Sequence, residues 1–277
     1  MISNRRAWIG VSCWLVLIGS LRADDSLVVV QHGDLPIVIS APHGGREVIP
    51  DAPPRTGRDG IYRFVTEADT NTDKLADELA QELERLLGKK PYVVRARFAR
   101  KYCDVNRKAE DAYESPAAKA VYDAYHAALA EACRDVQRRW HGGLLLDVHG
   151  QSTYPDQLIR GTNNGLTTSM LVERRGAEAY IGRGSLLGLM QQAGYDVLPP
   201  IDTTEAEPTR YSGGHIVKTY GSHQAGGIDA IQFEFGRKYR VPASEAEKSA
   251  KDLAKAIVAF CGDYVPAAVI PAEAVGR

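Results

Sequence analysis

Short apolar runs alternate with longer helical periods along almost the whole chain. Residues 26–31 and 36–41 are β-rich, and His32-Gly33-Asp34 between them reads as a hairpin turn. Residues 67–87 place Leu75, Leu79, Leu83 and Leu86/Leu87 on one face of an amphipathic helix. Residues 91–98 (PYVVRARF) form the next strand, and 117–139 a long helix with Tyr125-His126 on a packed or rim face. The run Leu144-Leu145-Leu146, set between Gly142-Gly143 and Gly150-Gln151-Ser152, has the character of a short strand buried on both faces. A turn at Thr162-Asn163-Asn164-Gly165, a helix over 176–193 and a short strand at 195–197 come next. Residues 199–208 are Pro-rich and read as a surface loop, and the glycines of 212–221 mark a hinged segment able to serve as a lid. The strand 227–235 and the helix 244–261 close the pattern, which is that of an α/β protein.

The first 23 residues stand outside that pattern. Arg5-Arg6 precede an apolar stretch over residues 7–20, and Ala23 offers a cleavage point before Asp24-Asp25, so residues 1–23 read as an export signal. No later stretch approaches the ~20 apolar residues of a membrane span, so no integral span is expected once the signal is removed. Residues 24–277 suit one large domain. A net charge of −1 gives no reason to expect nucleic acid or an anionic membrane as partner. With Cys13 inside the expected signal, only Cys103, Cys133 and Cys261 remain after its removal, an odd number at scattered spacing, which is no disulfide framework.

Candidate chemistry sits where apolar strands end in polar residues. Asp147 and His149 alternate at the end of the leucine strand and leave the sheet on one side. A carboxylate beside an imidazole at the carboxyl end of a buried strand is the usual setting of a site in an open α/β sheet, and it suits a metal-ligand histidine. The plainer reading is a hydrogen-bonded core histidine with Asp147 as a helix cap. A second histidine, His43, follows the strand 36–41 in Ala41-Pro42-His43-Gly44-Gly45, where glycines permit close approach to the backbone. Glu234 lies in a strand otherwise buried, where an unpaired carboxylate is costly. Arg100 and Arg107 flank Asp104-Val105-Asn106, an arrangement able to clamp a carboxylate. The acidic cluster Glu67-Ala68-Asp69-Thr70 has the composition of a helix N-terminus.

Together these segments resemble the N-formylglutamate amidohydrolases. The likeness is carried, in order, by Ala41–Gly45, Asp69-Thr70, Arg100 with Asp104–Arg107, Asp147–His149, and Gly213–Ile216 followed by Gln232–Glu234. The resemblance implies a three-layer α/β fold with a mixed sheet of about eight strands between helices, related to the zinc carboxypeptidases and aspartoacylases. Those relatives use His-x-x-Glu as their first two zinc ligands. His43-Gly44-Gly45-Arg46 lacks the glutamate, which leaves the carboxylate ligand among Asp69, Glu67 and Glu47; Asp69 matches the family's acidic pair. The implied site holds Zn2+ on His43, Asp69 and His149, with Glu234 as general base and Arg100 stabilising the oxyanion. Arg107 would grip a substrate carboxylate, with Asp104 and Asn106 fixing it, and His215 and Asn164 complete the substrate contacts.

Two functions follow from this reading. One is an exported zinc amidohydrolase acting on a small-molecule or peptide-like amide beside a carboxylate. The other is a non-catalytic exported binding protein that keeps the fold for anionic ligands. A buried base with two arginines favours the enzyme. Peptide, poly-γ-glutamate and cell-wall amides all suit an exported member as substrate.

Overall fold

The computed structural model describes residues 27–57 and 64–264, so the export signal expected over residues 1–23 lies outside the described residues. The chain runs β1 (Val28–Gln31), β2 (Ile37–Ala41), α1 (Thr72–Leu87), β3 (Tyr92–Ala96), α2 (Ala109–Ala112) and α3 (Pro116–Trp140). It continues through β4 (Leu144–Gly150), β5 (Gln157–Gly161), α4 (Ser169–Arg175), α5 (Glu178–Ile181), α6 (Leu186–Gln192) and β6 (Asp196–Leu198). α7 (His215–Tyr220), β7 (Asp229–Phe235) and α8 (Ala243–Tyr264) complete it. The described strands form one seven-stranded mixed sheet in the order β1-β3-β2-β4-β7-β5-β6. β3, β2, β4 and β7 are parallel neighbours; β1 and β5 run antiparallel to β3 and β7.

Side-chain alternation along the central strands builds three layers. Leu144, Leu146 and Val148 join a core with Leu75, Leu79 and Leu83 of α1 and Leu253 and Ile257 of α8. Leu145 joins the opposite core with Val121, Tyr125 and Leu129 of α3. By the same parity Asp147 and His149 share the face of Leu145, and Gln232 and Glu234 share the face of Ala230. The leucine strand is thus buried on both faces, as its composition predicts. Among the described residues, no helix is long and apolar enough to cross a membrane.

Four local expectations are corrected. β1 and β2 do not form a hairpin, because β3 inserts between them and pairs with both. α1 starts at Thr72 rather than Glu67, and the acidic cluster does not cap it: Asn71 takes the N-cap position with φ 65° and makes no side-chain cap. The helix expected over 176–193 breaks at 182–185, where Ser185 caps α6 by accepting from the Gly188 amide at 3.1 Å. The 199–208 segment is not wholly a surface loop, since the Glu207 side chain is fully buried against Arg160 at 3.1 Å.

Candidate metal centre and its cavity

β2, β4 and β7 are parallel neighbours and end at one edge of the sheet, so their last polar residues are delivered to one place. The register sets Ser40 beside Asp147, Asp147 beside Gln232 and His149 beside Glu234. His43 follows β2 on the Pro42-His43-Gly44 turn, and Gly44 is obligatory there because a Cβ would collide with the backbone of Asp73. Asp69 reaches the same point from the segment before α1: its amide donates to the His43 carbonyl at 2.9 Å, and its Oδ2 accepts from the Gly150 amide at 3.1 Å. The carboxylate therefore turns back to the sheet edge instead of capping the helix.

Three atoms converge there. His43 Nδ1 and His149 Nδ1 lie 3.1 Å apart, and each is 3.4 Å from Asp69 Oδ2. A tetrahedral cation with bonds of about 2.0–2.1 Å separates its ligand atoms by about 3.3 Å, so these three atoms match one face of such a tetrahedron. Protonation fits the same reading. His43 Nε2 donates to Asp104 Oδ1 at 2.7 Å, and His149 Nε2 donates to Asp147 Oδ2 at 2.8 Å. With Nε2 engaged in this way, each Nδ1 faces Asp69 with a carboxylate behind its imidazole, free to meet a cation there or, without one, to carry a proton toward Asp69. Asp147 is itself held by Ser40, whose hydroxyl donates to Oδ1 at 2.7 Å and meets the Tyr125 hydroxyl at 2.9 Å.

The electrostatics show how strongly this place favours positive charge. Burial is the largest influence on His149 and opposes its protonation. The charge and hydrogen bond of Asp147, then Asp69 and Glu234, outweigh burial and raise its pKa to about 10. Burial likewise pushes the Asp69 carboxyl up, yet hydrogen bonds from His149 and His43 and the charges of His43 and Arg100 bring it well below the usual carboxylate range. The donor set of two imidazoles and one carboxylate, each buried and oriented, fits a divalent cation such as zinc.

A cavity of about 750 Å³ opens over these atoms. Glu234 and Arg100 line it, as do Arg107, Asn106 and His215. Burial, partly offset by the charge of His149, raises the pKa of Glu234 to about 7, and its Oε1 accepts from Gln232 Nε2 at 2.8 Å. Gln232 Oε1 in turn accepts from the Gly214 amide at 2.8 Å. Arg100 is clamped on Asp104 Oδ2, with Nε and Nη2 each at 2.8 Å, and its Nη1 lies 3.8 Å from Asp69 Oδ1.

Not every expected contact is brought to the cavity as a substrate contact. Asp104 lies behind His43 and Arg100, 4.0 Å from Arg107 Nε, and does not line the cavity. Asn106 is buried; its Oδ1 accepts from the Ile216 amide at 2.8 Å, and its carbonyl accepts from Arg107 Nη1 at 2.9 Å. It holds α7 and Arg107 in place. Asn164 stands apart, its Oδ1 accepting from the Glu207 amide at 2.8 Å, and does not line the cavity. Glu47 pairs with Arg97 at the surface, while Glu67 lines the cavity without joining the three-atom cluster. The 212–221 segment is a packed wall: Ile216 and Val217 are fully buried, and a side chain at Gly214 would collide with Asn106.

Sequence reasoning missed two supports. Ser40 carried a signal, as a lone hydroxyl in a buried apolar strand. Arg240 carried none; it lines the cavity and donates to the carbonyls of Thr70 at 2.7 Å, Phe235 at 3.0 Å and Gln151 at 3.3 Å, tying three segments of the rim.

Comparison with known proteins agrees with the fold. A crystal structure of N-formylglutamate amidohydrolase from Ralstonia eutropha JMP134 superposes with a TM-score of 0.60 at 17% identity, covering 86% of this chain and 98% of that one. A gene product of Agrobacterium tumefaciens superposes with a TM-score of 0.55 at 12% identity, covering 85% and 95%. At such identities the likeness is one of fold. No curated protein sequence matches the chain. The sequence likeness resides in the N-terminal half, where residues 35–120, which hold His43, Asp69, Arg100 and Arg107, match the family model of N-formylglutamate amidohydrolase.

Proposed function

We propose that this protein is an exported, zinc-dependent amidohydrolase that cleaves an N-acyl, γ-glutamyl or peptide amide next to a carboxylate. The observation that carries this is the convergence of three buried potential ligand atoms at 3.1–3.4 Å, with a carboxylate behind each histidine. The family match over residues 35–120 supports the reaction class.

His43, Asp69 and His149 would hold the metal. When bound, zinc supplies Lewis acidity toward a water and toward the amide carbonyl. Glu234, poised near neutrality, takes a proton from the attacking water and passes it to the leaving amine. Its hydrogen bond from Gln232 occupies Oε1 and so fixes the carboxylate's orientation. Arg100, locked by Asp104, faces the cavity with a guanidinium that answers negative charge developing on the carbonyl oxygen. Arg107 meets the substrate carboxylate with a planar fork. A purely binding protein has no use for a buried carboxyl held near pH 7, so the hydrolase is the better reading.

Elemental analysis of the purified protein, followed by hydrolysis assays on a panel of N-acyl amino acids before and after chelation, tests the proposal. About one zinc per chain and chelator-sensitive hydrolysis are expected. Metal without hydrolysis of any amide would leave the binding function, and hydrolysis indifferent to chelation would refute the metal role.

A further inference from the structure

Two lysines at the mouth of the cavity are not used by the reaction above. Lys108 stands at the N-cap of α2, next to Arg107, and Lys218 lies on α7 three residues past His215. Both line the cavity and both are exposed. Among the described residues neither ammonium has an ion-pair or hydrogen-bond partner. Of the other exposed lysines, Lys119 pairs with Asp123 at 2.5 Å and Lys248 with Asp252 at 2.7 Å, whereas Lys89, Lys251 and Lys255 have no ion-pair partner among the described residues, so what sets Lys108 and Lys218 apart is their place in the cavity wall. Arg100 and Arg240, by contrast, already serve Asp104 and three carbonyls.

The charge of the cavity has the same sense. Six cationic side chains line it against four carboxylates, in a chain whose net charge is −1. The position of Lys108 is felt inside: after burial itself, its charge is the next influence holding down the pKa of His215. The volume of about 750 Å³ lies within the roughly 300–1,000 Å³ of sites that enclose drug-sized ligands, more than a single acylated amino acid fills.

We propose that Lys108 and Lys218 form a second anion subsite, and that the substrate is an acidic chain leaving the reacting centre on the Arg107 side with at least one further carboxylate at the mouth. This rests on the hydrolase reading for the reacting centre. An exposed charge pair is worth a few-fold in affinity, so the two lysines together should favour an anionic extension about tenfold over a neutral one of equal length. That preference should shrink as ionic strength rises.

The test compares acetyl-glutamate extended through its γ-carboxyl by two glutamates, which leaves the α-carboxylate free for Arg107, with the same compound extended by two glutamines, both extensions ending in a C-terminal amide. KM is measured with the zinc-loaded protein and with the Lys108→Gln/Lys218→Gln double variant. Affinity is measured in parallel by calorimetry with the Glu234→Gln protein, with and without the two lysine changes, so that the readout does not depend on turnover. The glutamate extension should be preferred about tenfold by the protein with its lysines and about equally with glutamine without them. Equal affinity for both extensions in the protein with its lysines, or a preference that survives the double substitution, overturns the subsite. A lysine-dependent binding preference without hydrolysis upholds the subsite and refutes the hydrolase reading alone.

Discussion

Replacing Asp147 by Asn tests the proposed metal centre through a residue outside its three ligand atoms. Both carboxylate oxygens are acceptors, Oδ1 from Ser40 at 2.7 Å and Oδ2 from His149 Nε2 at 2.8 Å, and the side chain has no exposure. An amide nitrogen must take one of those places. Facing His149, it forces the ring's proton onto Nδ1 and removes the lone pair aimed at the metal. Facing Ser40, it requires the hydroxyl to turn toward Tyr125, 2.9 Å away, and leaves His149 with a neutral acceptor. The second arrangement is the one that survives, and loss of such a backing carboxylate weakens metal binding by about 10–100-fold, or about 1.4–2.8 kcal/mol. The assay is zinc competition against a chromophoric chelator, with urea unfolding of the metal-free protein as control. At free zinc of about 100 times the parent Kd, zinc should stabilise the parent by about 2.7 kcal/mol and the variant by only about 0.4–1.4 kcal/mol. A variant Kd within about twofold of the parent, with metal-free stability unchanged, would refute the reasoning, because Asp147 would then not be backing a metal ligand.

The identity of the carboxylate ligand is checked by Asp69→Asn, which should weaken zinc binding more than Glu67→Gln or Glu47→Gln; the reverse order in the same competition assay points to another ligand. Glu234→Gln should keep its zinc while kcat falls by about 10²-fold or more. Because the base must be ionised, the parent's kcat/KM should fall with decreasing pH through a limb no higher than about 7, the nearby cation pulling it down, and Glu234→Gln should lack that limb. Arg107→Ala should mainly raise KM, and only for substrates bearing the carboxylate, with little recovery in Arg107→Lys; equal loss on an amide-capped analogue would assign the arginine to the reacting centre or the fold. His126 is held neutral, its pKa lowered to about 4 by burial and by the charge of His215, while Nε2 donates to the Val105 carbonyl at 2.9 Å. Its depressed pKa contributes stability that is present above about pH 6.5 and lost as pH falls toward 4, by about 3 kcal/mol. Urea midpoints followed across that range should show a shallower acid slope in His126→Gln, and identical slopes would count against a buried neutral imidazole.

What the sequence determined by itself was the chemistry at strand ends. A side chain at a buried strand's end is constrained by period 2 and by the requirement that polar groups leave the core, so Asp147, His149 and Glu234 could be placed from pattern alone. Composition likewise made the leucine strand buried on both faces. Pairing between distant strands has no such local signature: nothing in residues 26–41 says that β3 will insert between β1 and β2, and the hairpin expectation failed for that reason. Asp69 shows the same limit at one residue. An acidic side chain before a helix has the composition of a cap, and only the His43 and Gly150 contacts, supplied by two other segments, turn it toward the sheet edge. Asp104 was legible as an arginine's partner but not as the group behind His43, and Asn164 carried no sign that Glu207 would claim it. Local pattern fixes which side of a strand a residue leaves. Only the crossing of segments 60 to 170 residues apart, as between His43 and Asp104 or Thr70 and Arg240, decides what it meets there.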